Sequence, residues 1–385
     1  MREIEVLKTV LIIGETKYGE KCKTNLENLG FSVDLIKASD LISVEGVVGN
    51  FEAKTRKDGT VSQIITSAIV IAEDVNKTTI KDEVKFDGTK FILPQSKLSK
   101  ILDAPGHPRK NLLNAIKNIP NSVCIFLGDA SQASKTQTYE CLHNALILKN
   151  TFDCEIFVLC KDLKISGQGM EELYREARKS GVLFLKYIDK PEFTSEEKIK
   201  IKFDDYYLTE NGKPPSIEIE CELLVLDELL IPDESFKNLC SILEITLDKK
   251  NFLQAENINL YPVSSNRKGI FLLGHCHNPD LSEPEIYEEV NIISEQIYQL
   301  LSKGKIFFEE KVTVDPEKCA VCLTCIRSCP HKAIGLGMDK DKVHAYIFNQ
   351  ACFECGVCVS ICPASAIEFK GYEDKYIFSK LLEAK

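Results

Sequence analysis

Eight cysteines fall between Cys319 and Cys362, in two runs that read CAVCLTCIRSCP (Cys319–Pro330) and CFECGVCVSICP (Cys352–Pro363). Each run spaces its cysteines by three, three and four positions and ends in Cys-Pro. Thiolates are soft ligands, so such a cluster points to zinc, an iron–sulfur cluster or disulfides. Disulfides belong to short secreted domains, and a C-x-x-C-x-x-C run cannot pair all its thiols with relaxed geometry. Structural zinc uses two cysteine pairs separated by a longer gap. Iron and sulfide suit the pattern best. A cubane needs sulfurs converging from several sides, and cysteines three apart wrap a tight loop around one side of it.

The doubled C-x-x-C-x-x-C-x-x-x-C-P pattern resembles that of bacterial two-cluster ferredoxins, in which the fourth cysteine of each run ligates the other cluster. On that pattern Cys319, Cys322, Cys325 and Cys362 hold one [4Fe-4S] cluster. Cys352, Cys355, Cys358 and Cys329 hold the other. The segments HKAIGLG and ASAIEFK, after each run, read as a helix turn and strand capping each cluster.

The elements that carry this tail are of another kind. TVLIIGETKYGEKCKTNLENLGFSVDLI parses as apolar strand, turn, amphipathic helix and second strand, a βαβ opening. Dinucleotide-binding folds put a glycine fingerprint in that turn and an acid after the second strand. Here Gly14 and Gly19 hold the outer positions, Thr16 stands at the middle one, and Lys37 replaces the acid. Glu15 adds like charge where phosphates would lie. Thr16 is expected to crowd a pyrophosphate. Apolar strands and helices keep alternating: Ser67–Ala72, Ser122–Gly128, Cys154–Cys160, a helix over Met170–Gly181, then Ile217–Pro232 as a strand entering a buried sheet, and Lys268–Gly274. The alternation predicts an α/β fold with a mainly parallel sheet, built as two intertwined Rossmann-like units. TRKDGT (Thr55–Thr60) and ENGK (Glu210–Lys213) read as hairpin turns, and Asp103 to Pro108 as a turn. Val290, Ile293, Ile297, Leu300 and Leu301 predict an amphipathic helix over Ile286–Ile306. The expected organisation is an α/β domain over 1–286, a linker helix over 287–310 and an α+β dicluster ferredoxin domain over 311–385. The tail YEDKYIFSKLLEAK reads as a short helix or docking segment.

The chain has 385 residues, 44% apolar and 28% charged, with 48 basic and 58 acidic residues and a formal charge of −10. That length suits two or three domains. The acidic balance argues against nucleic-acid binding and favours protein partners with basic patches. The opening MREIEVLKTVLIIGE has too short an apolar run for a membrane span and no cleavage signal, so a soluble cytoplasmic protein is expected. The other eight cysteines are scattered. Cys141, His143, Cys154 and Cys160 lack ligand spacing and read as core residues. His275-Cys276-His277 points adjacent side chains to opposite faces, which disfavours a shared metal. Arg175, Arg178 and Lys179 read as a solvated helix face.

Taken in order, several segments resemble the A-type component of heterodisulfide reductase, an iron–sulfur flavoprotein with a thioredoxin-reductase-like fold. They are the βαβ opening, SAIVIA, IFVLCKDLKISGQGMEELYREARKSGVLFL, CELLVLDELLIP, GIFLLGHCHNPDLSEPE and the double cysteine run. The resemblance implies a thioredoxin-reductase/FAD-domain-like core with FAD lying against Gly14, Thr16 and Gly19. It also implies partner subunits: heterodisulfide reductase B/C-like, hydrogenase or dehydrogenase. The departures at Thr16, Lys37 and Gly274-His275 weaken three flavin contacts and point to a shortened, flavin-free relative that relays electrons through two [4Fe-4S] clusters. The alternative is an FAD-dependent, bifurcating subunit that drains electrons from flavin into the same clusters.

Overall fold

A computed structural model describes residues 2–57, 59–79, 92–116, 118–128, 134–195, 198–205, 214–339 and 341–383. The chain divides into two compact units. One comprises Met1–Asp74, Pro232–Asn278 and Glu288–Lys385; the other comprises Val75–Ile231 and Pro279–Tyr287.

The first unit is built on a four-stranded parallel sheet in the order Ile270–Leu272, Ala68–Ile71, Thr9–Ile13, Ser32–Ile36. Strands covered on both faces read as continuous apolar runs rather than alternating ones. TVLII and AIVI are such runs, and Val10–Ile13 and Ala68–Ile71 are fully buried. The crossover helix Lys17–Asn28 buries Cys22 and Leu26, one turn apart, as an amphipathic helix must. Between the second and third strands of the chain path lies an antiparallel meander, Leu41–Val47, Asn50–Lys57 and Thr60–Thr66. Its middle strand alternates strictly, with Phe51, Ala53 and Thr55 buried and their neighbours exposed. The TRKDGT hairpin is present, with Lys57 opposite Thr60. The helix Glu283–Leu301, which belongs to this unit from Glu288 on, buries Val290, Ile293, Ile297 and Leu301. It stops short of the expected Ile306. Gly304 turns the chain at φ +66, and Lys305–Phe308 becomes a strand antiparallel to Arg2–Glu5.

The second unit repeats the recipe. Its parallel sheet runs Leu183–Lys186, Glu155–Cys160, Ser122–Leu127, Leu223–Leu226, Ile92–Pro94. The helices Lys135–Thr151 and Met170–Lys179 connect strands of it. Its own antiparallel meander is Glu192–Ser195, Ile199–Asp204, Ser216–Cys221. The α/β, Rossmann-like expectation of two units therefore matches the fold.

The stretch 217–232 differs from its reading as one strand. It is three short strands in three sheets: Ser216–Cys221 closes the meander, Leu223–Leu226 enters the parallel sheet, and Glu228–Ile231 pairs with Asn76–Thr79. The burial pattern marks the changes, alternating in the first piece and solid in the second. Alternation means one covered face, and a solid run means two. ENGK lies outside the described residues.

Candidate metal centre

Cys352 lies 33 residues after Cys319, and the same shift lays one half of the C-terminal region on the other. Val312–Val314 corresponds to the end of Lys342–Ile347, the short helix Thr324–Ser328 to Val357–Ser360, and the start of Ile334–Asp339 to Ile367–Phe369. The halves are interlocked: Val312–Val314 pairs antiparallel with Ile367–Phe369, and Ile334–Asp339 with Lys342–Ile347. The helical turns lie inside each cysteine run, before its fourth cysteine. HKAIGLG and ASAIEFK supply only strands, so the helix turn expected there is misplaced.

Left-handed residues recur in register. Val321 and Glu354 have φ +51 and +58, Leu323 and Gly356 have +61 and +76, and Lys332 and Ser365 have +52 and +47. Left-handed residues set among right-handed ones turn successive backbone N–H groups inward, forming a concavity that suits negative charge. Three of these donors reach thiols. Glu354 N–H donates to Cys352 Sγ at 3.4 Å, Ala333 N–H to Cys329 Sγ at 3.4 Å, and Ala366 N–H to Cys362 Sγ at 3.3 Å. The last two are again equivalent under the shift.

The cost of this geometry is testable. A left-handed conformation costs an L-residue about 1–2 kcal/mol, and more for a branched side chain. Gly356 has room for a Cβ, whose nearest atom is a Phe369 ring carbon at 3.8 Å. Gly356→Ala is therefore expected to destabilise the domain by about 1 kcal/mol through backbone strain alone. Leu323→Gly relieves the same strain at the equivalent position. Thermal melts of the two anaerobic variants should move in opposite directions.

Two cavities result. The first is lined by Cys319, Cys322, Cys325 and Cys362, with Val314, Leu336 and Ile367 among its apolar walls. The second is lined by Cys329, Cys352, Cys355 and Cys358, with Val312, Ile347 and Phe353. Each thus gathers three thiols from one run and one from the other. Among the described residues no three His, Cys, Asp or Glu side chains converge on a point that one metal ion would fill. The donor set, the apolar walls and the inward N–H groups fit a four-iron cubane. Burial pushes the Cys358 thiol up to about 12, and neighbouring Cys352, Cys329 and Cys355 push the same way. Burial also raises Cys325 and Cys352. Thiols crowded like this need cationic charge to ionise together, which bound iron supplies. Cys322 and Cys355, equivalent under the shift, are the exposed member of each set.

The glycine turn of the first unit is occupied by its own chain. A Cβ on Gly14 would lie 2.4 Å from Ala72 O, and one on Gly19 2.4 Å from Gly14 O. Both glycines therefore serve close backbone packing. Thr16 caps the helix: its hydroxyl accepts from Gly19 N–H at 3.1 Å and donates to Ala72 O at 2.9 Å. The side chain is buried in the turn, so it uses up a helix N-terminal donor instead of crowding the space in front. Lys37 pairs with Glu15 at 3.6 Å, and Glu73 accepts from Ala38 N–H at 2.9 Å. Burial raises the Glu73 pKa against the pull of that N–H, and Asp74, Asp233 and Glu15 add to the rise. An acidic mouth of this kind repels phosphates.

At Gly274-His275-Cys276-His277 the chain makes a single 3₁₀ turn. Glu289 accepts from Gly274 N–H at 2.8 Å and pairs with His277 Nε2 at 3.1 Å. The Cys276 thiol is fully buried against Ile71 O and Leu273 O. Sequence reasoning misses this carboxylate, because Glu289 comes from a helix whose heptad pattern shows only its apolar face. Cys141, Cys154 and Cys160 belong to the core of the second unit, with pKa values raised by burial.

Comparison with known proteins agrees with this geometry. Residues 311–363 match the model of a 4Fe-4S dicluster domain. The chain is 27% identical over 207 residues to an Archaeoglobus profundus protein named for its likeness to the A-type component of heterodisulfide reductase, covering 53% of this chain and 29% of that one. It is 29% identical over 209 residues to one of the A-type iron-sulfur subunits of CoB–CoM heterodisulfide reductase in Methanopyrus kandleri, covering 52% and 30%. The chain thus spans about 30% of the length of these relatives. A NAD-dependent persulfide reductase from A. fulgidus superposes with a TM-score of 0.43 at 12% identity, over 75% of this chain and 58% of that one. Among the described residues no helix is long and apolar enough to cross a membrane. The C-terminal region is a dicluster domain for two [4Fe-4S] clusters, and over about half its length the chain is similar to the A-type iron–sulfur component of heterodisulfide reductase.

Proposed function

We propose that the protein is a cytoplasmic electron-transfer subunit of a multisubunit oxidoreductase similar to heterodisulfide reductase. The observation that carries this reading is the pair of cavities, each lined by four cysteines drawn three to one from the two runs. When bound, the clusters supply one-electron storage at low reorganisation. The ligand sets are Cys319, Cys322, Cys325 and Cys362, and Cys329, Cys352, Cys355 and Cys358. The chain's own residues do the rest. The inward N–H groups offset negative charge on the sulfurs, and the apolar walls keep water off them. Exposed Cys322 and Cys355 bring each set to the surface, where a donor and an acceptor can approach.

The α/β part then serves as a scaffold that docks other subunits, and the ferredoxin-like region is a functional domain within it. The names of the relatives tie them to a multisubunit reductase, which supports partner subunits here. A flavin-free reading follows from the turn at Gly14, Thr16 and Gly19. Its helix donor is held by Thr16, the Ala38 N–H by Glu73, and Lys37 is tied to Glu15.

Anaerobic purification tests both parts. The expected product is brown, with broad absorbance, about eight irons per chain and no flavin released on heating. Structured flavin bands with stoichiometric release would establish the flavoenzyme instead. Far fewer than eight irons would remove the electron-transfer reading altogether.

A further inference from the structure

The two cysteine cavities are alike in backbone and unlike in surroundings. At the second, the loop before strand Ile270–Leu272 closes against the nest. Asn266 Nδ2 donates to Pro330 O at 2.7 Å, and His331 Nδ1 lies 2.8 Å from Asn266 O. His331 is buried and stacks on Phe353, with ring centroids 4.3 Å apart. Lys268 completes the contact. Its ammonium donates to Cys352 O at 3.4 Å and lies 5.8 Å from the Phe353 ring centroid. Shifted by 33 residues, His331 and Phe353 become Ala364 and Ala320 at the first cavity, which are too small to receive such a loop. The first run carries a cation of its own, Arg327, in the helical turn Thr324–Ser328. Arg327 and Lys268 are both exposed, but Lys268 is held in place by Cys352 O and the Phe353 ring.

A cluster gains negative charge when reduced, so a fixed cation beside its ligands favours the reduced form. Glu354 opposes this at the second nest, but Lys311 pairs with it at 2.9 Å. Lys311 also pairs with Glu309 at 3.8 Å, so the two lysines and two glutamates cancel, and it is Lys268 that touches a cluster ligand, at Cys352 O. We infer that Lys268 makes the cluster held by Cys329, Cys352, Cys355 and Cys358 easier to reduce than it would be without that cation. The α/β scaffold thus tunes a cluster in the domain it carries. This rests on the two-cluster reading, which iron analysis checks separately.

The test is a redox titration followed by electron paramagnetic resonance on wild type, Lys268→Met, Lys268→Arg and Arg327→Met, each first shown to hold about eight irons. In Lys268→Met one cluster should become harder to reduce, by about tenfold in its oxidised-to-reduced ratio, which is 59 mV for one electron. The other cluster should not move, Lys268→Arg should stay near wild type, and Arg327→Met should shift less. In a Cys362→Ala background, which keeps only the second-nest cluster, Lys268→Met should shift the remaining signal. Equal movement of both clusters, no movement, or movement toward easier reduction overturns the assignment. A loss of iron in wild type would instead strike the reading on which it rests.

Discussion

Cys362→Ala is expected to remove the cluster built mainly by the other run. Cys362 sits in the second run but lines the cavity of Cys319, Cys322 and Cys325. Iron should fall from about eight to about four per chain, with acid-labile sulfide following it. Double variants decide whether the ligands are crossed. Cys362→Ala with Cys319→Ala should still keep about four irons, because both changes strike one cluster. Cys362→Ala with Cys352→Ala should keep almost none. If each run served its own cluster, the two results would be exchanged. Cys329→Ala should mirror Cys362→Ala at the other cavity. The crossing also predicts a mechanical effect. Each cluster ties the two halves together, so losing both should lower the melting temperature far more than losing either.

Gly14→Ala should unfold much of the first unit even when no nucleotide is offered. The added Cβ would stand 2.4 Å from Ala72 O and 2.5 Å from its carbon, at φ +124. That backbone conformation is strained for any residue with a side chain, and the obstruction is main chain that cannot swing aside. A loss of about 3 kcal/mol or more follows, read as a shift in denaturant midpoint at constant slope. If this glycine existed only to let a pyrophosphate approach, alanine would be tolerated in protein carrying no flavin. Thr16→Ala offers a milder comparison. It removes a helix cap and a bond to Ala72 O, and should lower stability by about 1–2 kcal/mol.

Much of the chemistry is legible in the chain because its spacing is local. Three thiols of each nest are legible, since the chain between them is too short to put them anywhere else, while the fourth comes from the other run. The parallel strands are legible for a similar reason: TVLII, AIVI and LLVL are apolar on both faces, and only a covered sheet accepts them. What stays hidden depends on residues far apart. Thr16 is visible as a departure from glycine, yet its bond to Ala72 spans 56 positions, so its capping role is not. Glu289 beside Gly274, and Lys268 beside Cys352, join segments that share no local pattern. The split of 217–232 is readable in principle from its switch between alternating and solid apolar character. It escapes a reading by eye because Glu222 and Asp227, which mark the breaks, look like ordinary polar interruptions. The strand Lys305–Phe308 reads as helix from sequence because KIFF continues an apolar stretch, and only its partner at Arg2–Glu5 settles the type.

The pairing of Arg2–Glu5 with Lys305–Phe308 closes a loop of some three hundred residues. The parallel sheet of the same unit likewise waits for Ile270–Leu272 to join Ala68–Ile71. The inserted unit, by contrast, draws nearly all its chain from one continuous span. On a ribosome the insert can therefore collapse while its host is still incomplete. Loop closure over such distances is slow, so the host assembles after its insert.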